Sequence, residues 1–150
     1  VTPYISVQEN VFDVGDESER LTQQSSQTGA LVCFTGLVRD INEGDSVKGM
    51  LLEHYPGMTE KSLLKIVQQA QTRWDLLGAS VIHRVGKLLP SDPIVFVGVT
   101  SKHRIDAFES CQFIMDYLKT DAPFWKKEWT PQGEQWVEAK NTDEQAKKRW

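Results

Sequence analysis

Residues 103 to 130 constrain the fold more than any other part of the chain. Ala107, Phe108, Cys111, Ile114, Met115 and Leu118 recur at three- and four-residue spacings, which predicts a helix over 103–120 with a single apolar stripe. Ala122-Pro123 ends it, because proline lacks the amide hydrogen a helix needs and disfavours helical dihedrals in the residue before it. Strand character then runs over Phe124–Thr130, followed by a turn at Pro131-Gln132-Gly133-Glu134 and a return strand over 135–139. Helix and sheet therefore meet at one proline turn.

The remaining segments extend this mixed pattern. Residues 4–8 alternate as a short strand, and the acidic stretch 13–20 opens a polar helix through Leu21 to Ser25. Residues 29–38 read as a mostly buried strand that delivers Arg39 to a polar loop, and 48–54 read as a further strand. Tyr55-Pro56-Gly57 then turns the chain, with proline fixing one dihedral and glycine supplying the positive one. Over 59–74, Leu63, Leu64, Ile66, Val67, Ala70 and Trp74 form a second helical stripe. Residues 80–88 and 94–100 are strands whose economical connection is a hairpin, Ser101 is placed to cap the helix that follows, and 142–149 read as a short terminal helix capped by Thr142. The order predicts an α+β fold with a mainly antiparallel sheet, in one domain spanning residues 1–150.

Charge narrows the functional classes. A net charge of -4 and a pI near 5.4 argue against a general nucleic-acid or membrane-surface binder, so any basic site is local. Apolar runs such as Ile94 to Val97 are far short of the ~20 residues of a membrane span, and the chain reads as cytoplasmic. Cys33 and Cys111 lie in apolar segments without metal-ligand spacing and read as buried thiols. His54 and His83, among apolar strand neighbours, read as packed or surface histidines.

A local basic site is legible at both ends of the long helix. Lys119 stands in its last turn, four residues after Met115 and hence on the border of the buried stripe, and Lys126 follows the Ala-Pro-aromatic turn. A pocket there would be walled by Met115, Phe124 and Trp125 and would suit an anion. Partial desolvation favours a nucleophilic amine at Lys119, while the helix dipole favours the ammonium. At the other end Lys102, His103 and Arg104 occupy the first turn, where cations oppose the dipole but can join free backbone N–H groups in holding a phosphate or carboxylate. His103 and Lys119 are separated by about 24 Å of helix, so one small ligand touching both requires two subunits.

Taken together, Phe34-Thr35-Gly36-Leu37-Val38-Arg39, Leu52-Glu53-His54-Tyr55-Pro56-Gly57-Met58-Thr59-Glu60, Ile82-His83-Arg84-Val85-Gly86, His103-Arg104 and the run Phe113 to Glu128 resemble the large, catalytic subunit of molybdopterin synthase over nearly the whole chain. The resemblance implies an α/β hammerhead-type fold with packed helices and a C-terminal β-hairpin region. It also implies a homodimer, each subunit binding a small ubiquitin-like sulfur-carrier subunit to give a heterotetramer. The carrier's Gly-Gly tail, ending in a thiocarboxylate, gives up sulfur to cyclic pyranopterin monophosphate, and two transfers build the dithiolene of molybdopterin. No metal or redox cofactor is needed for this step.

By the same resemblance Lys119 is the essential lysine at the carrier tail, Lys126 stabilises substrate charge, and Arg39 grips phosphate with its planar guanidinium. Leu37, Val38, Lys127 and Glu128 contribute flanking contacts, and His103 with Arg104 supplies the phosphate end from the partner subunit. Phe34, Met115 and Lys140 are further substrate-site candidates. Lys140 stands where the family pattern has arginine, which keeps the charge but loses the bidentate fork. A noncatalytic scaffold that binds a ubiquitin-like tail or phosphorylated ligand is the competing reading, and a persulfide on Cys33 or Cys111 a weaker one for want of an activating base.

Overall fold

The computed structural model describes residues 2–42, 45–46, 49–130, 133–137 and 141–150. The chain begins with β1 (Tyr4–Gln8), α1 (Val14–Thr22) and β2 (Ala30–Leu37), then the two-residue strands β3 (Ile41–Asn42) and β4 (Asp45–Ser46). It continues through β5 (Gly49–His54), α2 (Met58–Arg73), β6 (Leu76–Arg84), β7 (Gly86–Leu88) and β8 (Pro93–Ser101). The last third holds α3 (Arg104–Asp121), β9 (Phe124–Thr130), β10 (Gly133–Val137) and α4 (Asn141–Lys147).

The strands form two four-stranded sheets, ordered β1-β6-β8-β2 and β10-β9-β5-β7, with β3 and β4 pairing separately. Among the described strand pairs only β1 with β6 is parallel, so the α+β, mainly antiparallel architecture is as expected. Alternation along the first sheet sends Val81, Val95, Val97 and Val99 to one face, where they pack with Leu63, Ile66 and Val67 of α2 and Ala107, Ile114 and Leu118 of α3. The opposite face places Ile82 and Phe96 against Leu21 of α1. A further core of Val38, Met50, Leu52, Val85 and Leu88 backs the second sheet, and Phe124 packs against both this core and the main one.

Three local expectations change. Residues 80–88 are not one strand: β6 ends at Arg84, Gly86 adopts φ 87°, and β7 leaves for the second sheet to pair with β5. A positive φ is accessible to glycine at little cost, and hydrophobic alternation alone does not reveal which sheet the next residues join. β2 is an outer strand rather than a mostly buried one, with Cys33 and Phe34 exposed. Ser101 does not cap α3. Its hydroxyl instead accepts from the His103 backbone N–H at 3.1 Å, and His103 is the N-cap residue without a side-chain cap of its own.

The C-terminal basic residues Lys147 and Arg149 are tied back to α3. Lys147 pairs with Asp121 at 2.6 Å, Arg149 with Asp116 at 3.2 Å, and the Trp150 indole N–H donates to the same Asp116 carboxylate at 2.6 Å. With Trp150 edge-on to Trp74 and Phe113, these contacts bind the C-terminal segment to the flank of α3.

Candidate active site

The turn that ends α3 brings the two predicted lysines to one place. Lys119 is exposed in the last turn of α3, and Lys126 is half-buried in β9. The Phe124 backbone N–H closes a tight turn on the Ala122 carbonyl at 2.9 Å around Pro123, and this turn swings the chain from helix to strand. Beneath it lies His83 of β6, only 6% exposed and on the same face of the first sheet as Val81.

The His83 ring stacks on Phe124 with centroids 3.8 Å apart and planes at 21°. Its Nδ1 lies 2.9 Å from the Arg84 carbonyl. A carbonyl only accepts, so Nδ1 carries the proton and Nε2 is left as an acceptor. Burial pushes the imidazole pKa down to about 3, with the charges of Lys119, Lys126 and His54 adding to the fall. These electrostatic neighbours place a helix end, a β9 residue and a β5 residue around one neutral ring. His54 stands opposite Phe124 in the β5–β9 register, and its Nδ1 is buried without a hydrogen-bond partner among the described residues.

Strand alternation sorts the other candidates. Phe124, Lys126 and Glu128 share one face of β9, where Glu128 is buried at 6%, whereas Trp125 and Lys127 point to the other. Trp125, 47% exposed, therefore does not wall the Lys126 side of the strand as expected. Met115 is half-buried and packs against the main core. Arg39 and Leu37 are exposed where β2 ends, while Val38 is buried in the second core and fixed by its backbone N–H to the Asp92 carbonyl at 2.9 Å. In register, Gly36 of β2 faces Val95, which faces His83, so β2 delivers Arg39 at the same end of the sheet as the lysines. Phe34, 41% exposed, lies two residues back along this outer strand. Lys140 lies outside the described residues.

His103 and Arg104 are brought nowhere near this cluster. The helix is continuous from Arg104 to Asp121, and its start adjoins Ser101, at the far end of β8 from Val95. Both residues are exposed, as are the nearby Ile105 at 60% and Phe108 at 62%. Asp106, not a third cation, completes the first turn.

A profile of the family described as MoaE protein matches residues 7–121. The chain belongs to the MoaE family. It is 60% identical over 148 residues to the molybdopterin synthase catalytic subunit of Ralstonia nicotianae, covering 99% of this chain and 84% of that one. It is also 60% identical over 139 residues to the Escherichia coli protein of the same name, covering 93% and 92%. Among solved structures, the molybdopterin biosynthesis MoaE protein from Burkholderia ambifaria superposes with a TM-score of 0.85 at 52% identity, covering 99% of this chain and 97% of that one.

Within this MoaE-family chain, sequence reasoning missed His54 and His83 as members of the site. The sequence left His83 as either a packed or a surface histidine, and the structure makes it packed; its place under Lys119 and Lys126 was not legible, because the three residues come from different elements. The one signal was their presence in segments that also carry the family motifs. The thiols read differently from one another: Cys111 is buried, and burial pushes its pKa up to about 12. Cys33 is exposed rather than buried, and partial desolvation raises its thiol pKa while the Ser18 hydroxyl, 3.6 Å away, opposes the rise. Neither environment favours the thiolate a sulfur carrier needs. Among the described residues no group of histidine, cysteine and carboxylate side chains is arranged to hold a metal.

Proposed function

We propose that the chain is the catalytic subunit of a molybdopterin synthase, a sulfurtransferase that moves sulfur from a carrier thiocarboxylate to cyclic pyranopterin monophosphate, building the dithiolene of molybdopterin. The observation that carries this reading is the convergence of Lys119 and Lys126, from α3 and β9, around the neutral, buried ring of His83. Both reactants are anions, and two cations beside an uncharged ring attract them.

Lys119, exposed at the helix end, meets the carrier tail and contacts its thiocarboxylate or the adduct formed from it. Lys126, better shielded, stabilises charge that develops during transfer, and Arg39 holds the phosphate from the end of β2. Leu37, Val38, Lys127 and Glu128 flank the substrate. Phe34 and Met115 border it, and Lys140 adds charge. The carrier is a small ubiquitin-like protein whose slender Gly-Gly tail suits a site at a helix end. The whole chain acts as one catalytic domain, in the cytoplasm, and among the described residues no helix is long and apolar enough to cross a membrane.

His103 and Arg104 reach a site only across a subunit boundary. We therefore assign them to the substrate phosphate of a neighbouring protomer in a homodimer, which with two carriers makes a heterotetramer. Exposed Phe34 and Leu37 on the outer strand, and Ile105 and Phe108 at the start of α3, supply apolar area for such a contact. Purified chain, thiocarboxylated carrier and the pyranopterin precursor should together yield dithiolene product. No product from folded proteins would leave only the scaffold reading.

A further inference from the structure

The junction of the two sheets carries a role for a residue outside the set of substrate contacts. Phe124 is the first residue of β9 and packs against both the main core and the core behind the second sheet. Its ring lies flat on His83, so this stack is the point at which β9 is referenced to the first sheet. Lys126 is two residues further along the same strand face, about 7 Å on, so a displacement of Phe124 is carried to Lys126 with little loss. Lys119 sits on the other side of the same joint, where α3 ends.

His83 is suited to be the fixed side of that joint. β6 is held by β1 on one side, with His83 opposite Val7, and by β8 on the other, with His83 opposite Val95. The bond from Nδ1–H to the Arg84 carbonyl sets the ring plane. The charged and titratable groups that act on it are Lys119 from α3, Lys126 from β9 and His54 from β5. A permanently charged side chain here would add a third cation beneath the lysines, and a flexible aliphatic one would give Phe124 no flat surface.

We propose that His83 is a positioning residue for sulfur transfer, its uncharged ring serving as the platform that seats Phe124 and through it sets the approach of Lys126 to Lys119. The catalytic consequence rests on the sulfur-transfer reading, while the geometric one does not.

The test uses full-length His83→Ala and His83→Phe proteins with two readouts. A short amine-to-amine cross-linker reports the Lys119–Lys126 approach by peptide mass spectrometry. The exposed pair Lys61 and Lys65, one turn apart on α2, serves as internal standard. Turnover with thiocarboxylated carrier and precursor reports the chemistry. In folded His83→Ala the Lys119–Lys126 cross-link should fall about threefold against the standard and kcat about tenfold, with KM for the precursor within about twofold, since misplacement costs rate more than binding. His83→Phe, which keeps a flat uncharged ring, should recover most of both.

An unchanged cross-link in folded His83→Ala, or a His83→Phe protein as impaired as the alanine variant, would overturn the proposal. If His83→Ala does not fold, Phe124→Leu removes the same stack from its half-buried side, and the same cross-link ratio decides. A cross-link that responds as expected in a protein without any sulfur transfer upholds the positioning role and refutes the functional reading instead.

Discussion

The two ends of α3 carry similar charge and are built in opposite ways. At the C-terminal end Lys119 stands beside a strand, a stacked Phe124–His83 pair and Lys126, all supplied by the same chain. At the N-terminal end His103 and Arg104 project into solvent beside exposed Ile105 and Phe108. A cation at a helix C-terminus is favoured by the dipole and one at the N-terminus is not, so local electrostatics explains the first end and leaves the second unexplained within one protomer. The difference teaches that one end gathers its groups from several elements of a single protomer, whereas the other, on the reading proposed above, is completed by a second copy.

The largest effect expected from this contrast is at the complete end. Lys119→Ala should lower turnover by about a thousandfold or more while circular dichroism and dimer mass stay unchanged, because the lysine is exposed and supports no core. Loss of folding would assign that lysine a structural role instead.

Complementation probes the incomplete end. Lys119→Ala and Arg104→Ala proteins, each impaired alone, should recover activity when mixed and allowed to exchange subunits, since one composite site of the mixed dimer regains both residues. Mixtures no more active than their parents would place the two residues in separate functions.

A smaller effect is expected on stability in acid, from the floor beneath Lys119. His83 has a folded pKa of about 3 against 6.5 in the unfolded chain, so above pH 6.5 it is neutral in both states and contributes no pH dependence. Between 6.5 and 3 the unfolded chain takes up a proton that the folded protein refuses, and stability falls as pH falls, by about 1.4 kcal/mol per unit. Urea titrations across that window should show a shallower decline for His83→Phe; an identical slope would remove His83 as the cause.

The smallest change is expected at the thiols. Replacing Cys33 and Cys111 together by alanine should leave kcat within about twofold, since neither thiol has the lowered pKa that sulfur carriage needs. Loss of transfer in folded double-variant protein would revive a persulfide route.

The long helix and the strand after it were legible because both are written in local periods: β1 and β9 fall at the residues read from alternation, and α3 begins one residue later than read. Lys119, Lys126 and Arg39 were singled out through type and motif, and the structure brings the two lysines beside one ring and ends β2, just before Arg39, at the same end of the sheet. The break at Gly86 was not, because one glycine dihedral redirects a continuous apolar pattern from one sheet to the other. Cys33 was misplaced for a related reason, since an outer strand and an inner one share the same alternation.

The sequence by itself determined the α+β class, the apolar stripes, the proline turn and the local concentration of positive charge around it, since each depends on residues a few positions apart. Only the tertiary structure decided that His83, some forty residues upstream of those lysines, lies under them, and that His103 lies out of their reach. Pairing between distant strands and the straightness of a helix set those distances, and neither is encoded in any short window of the chain.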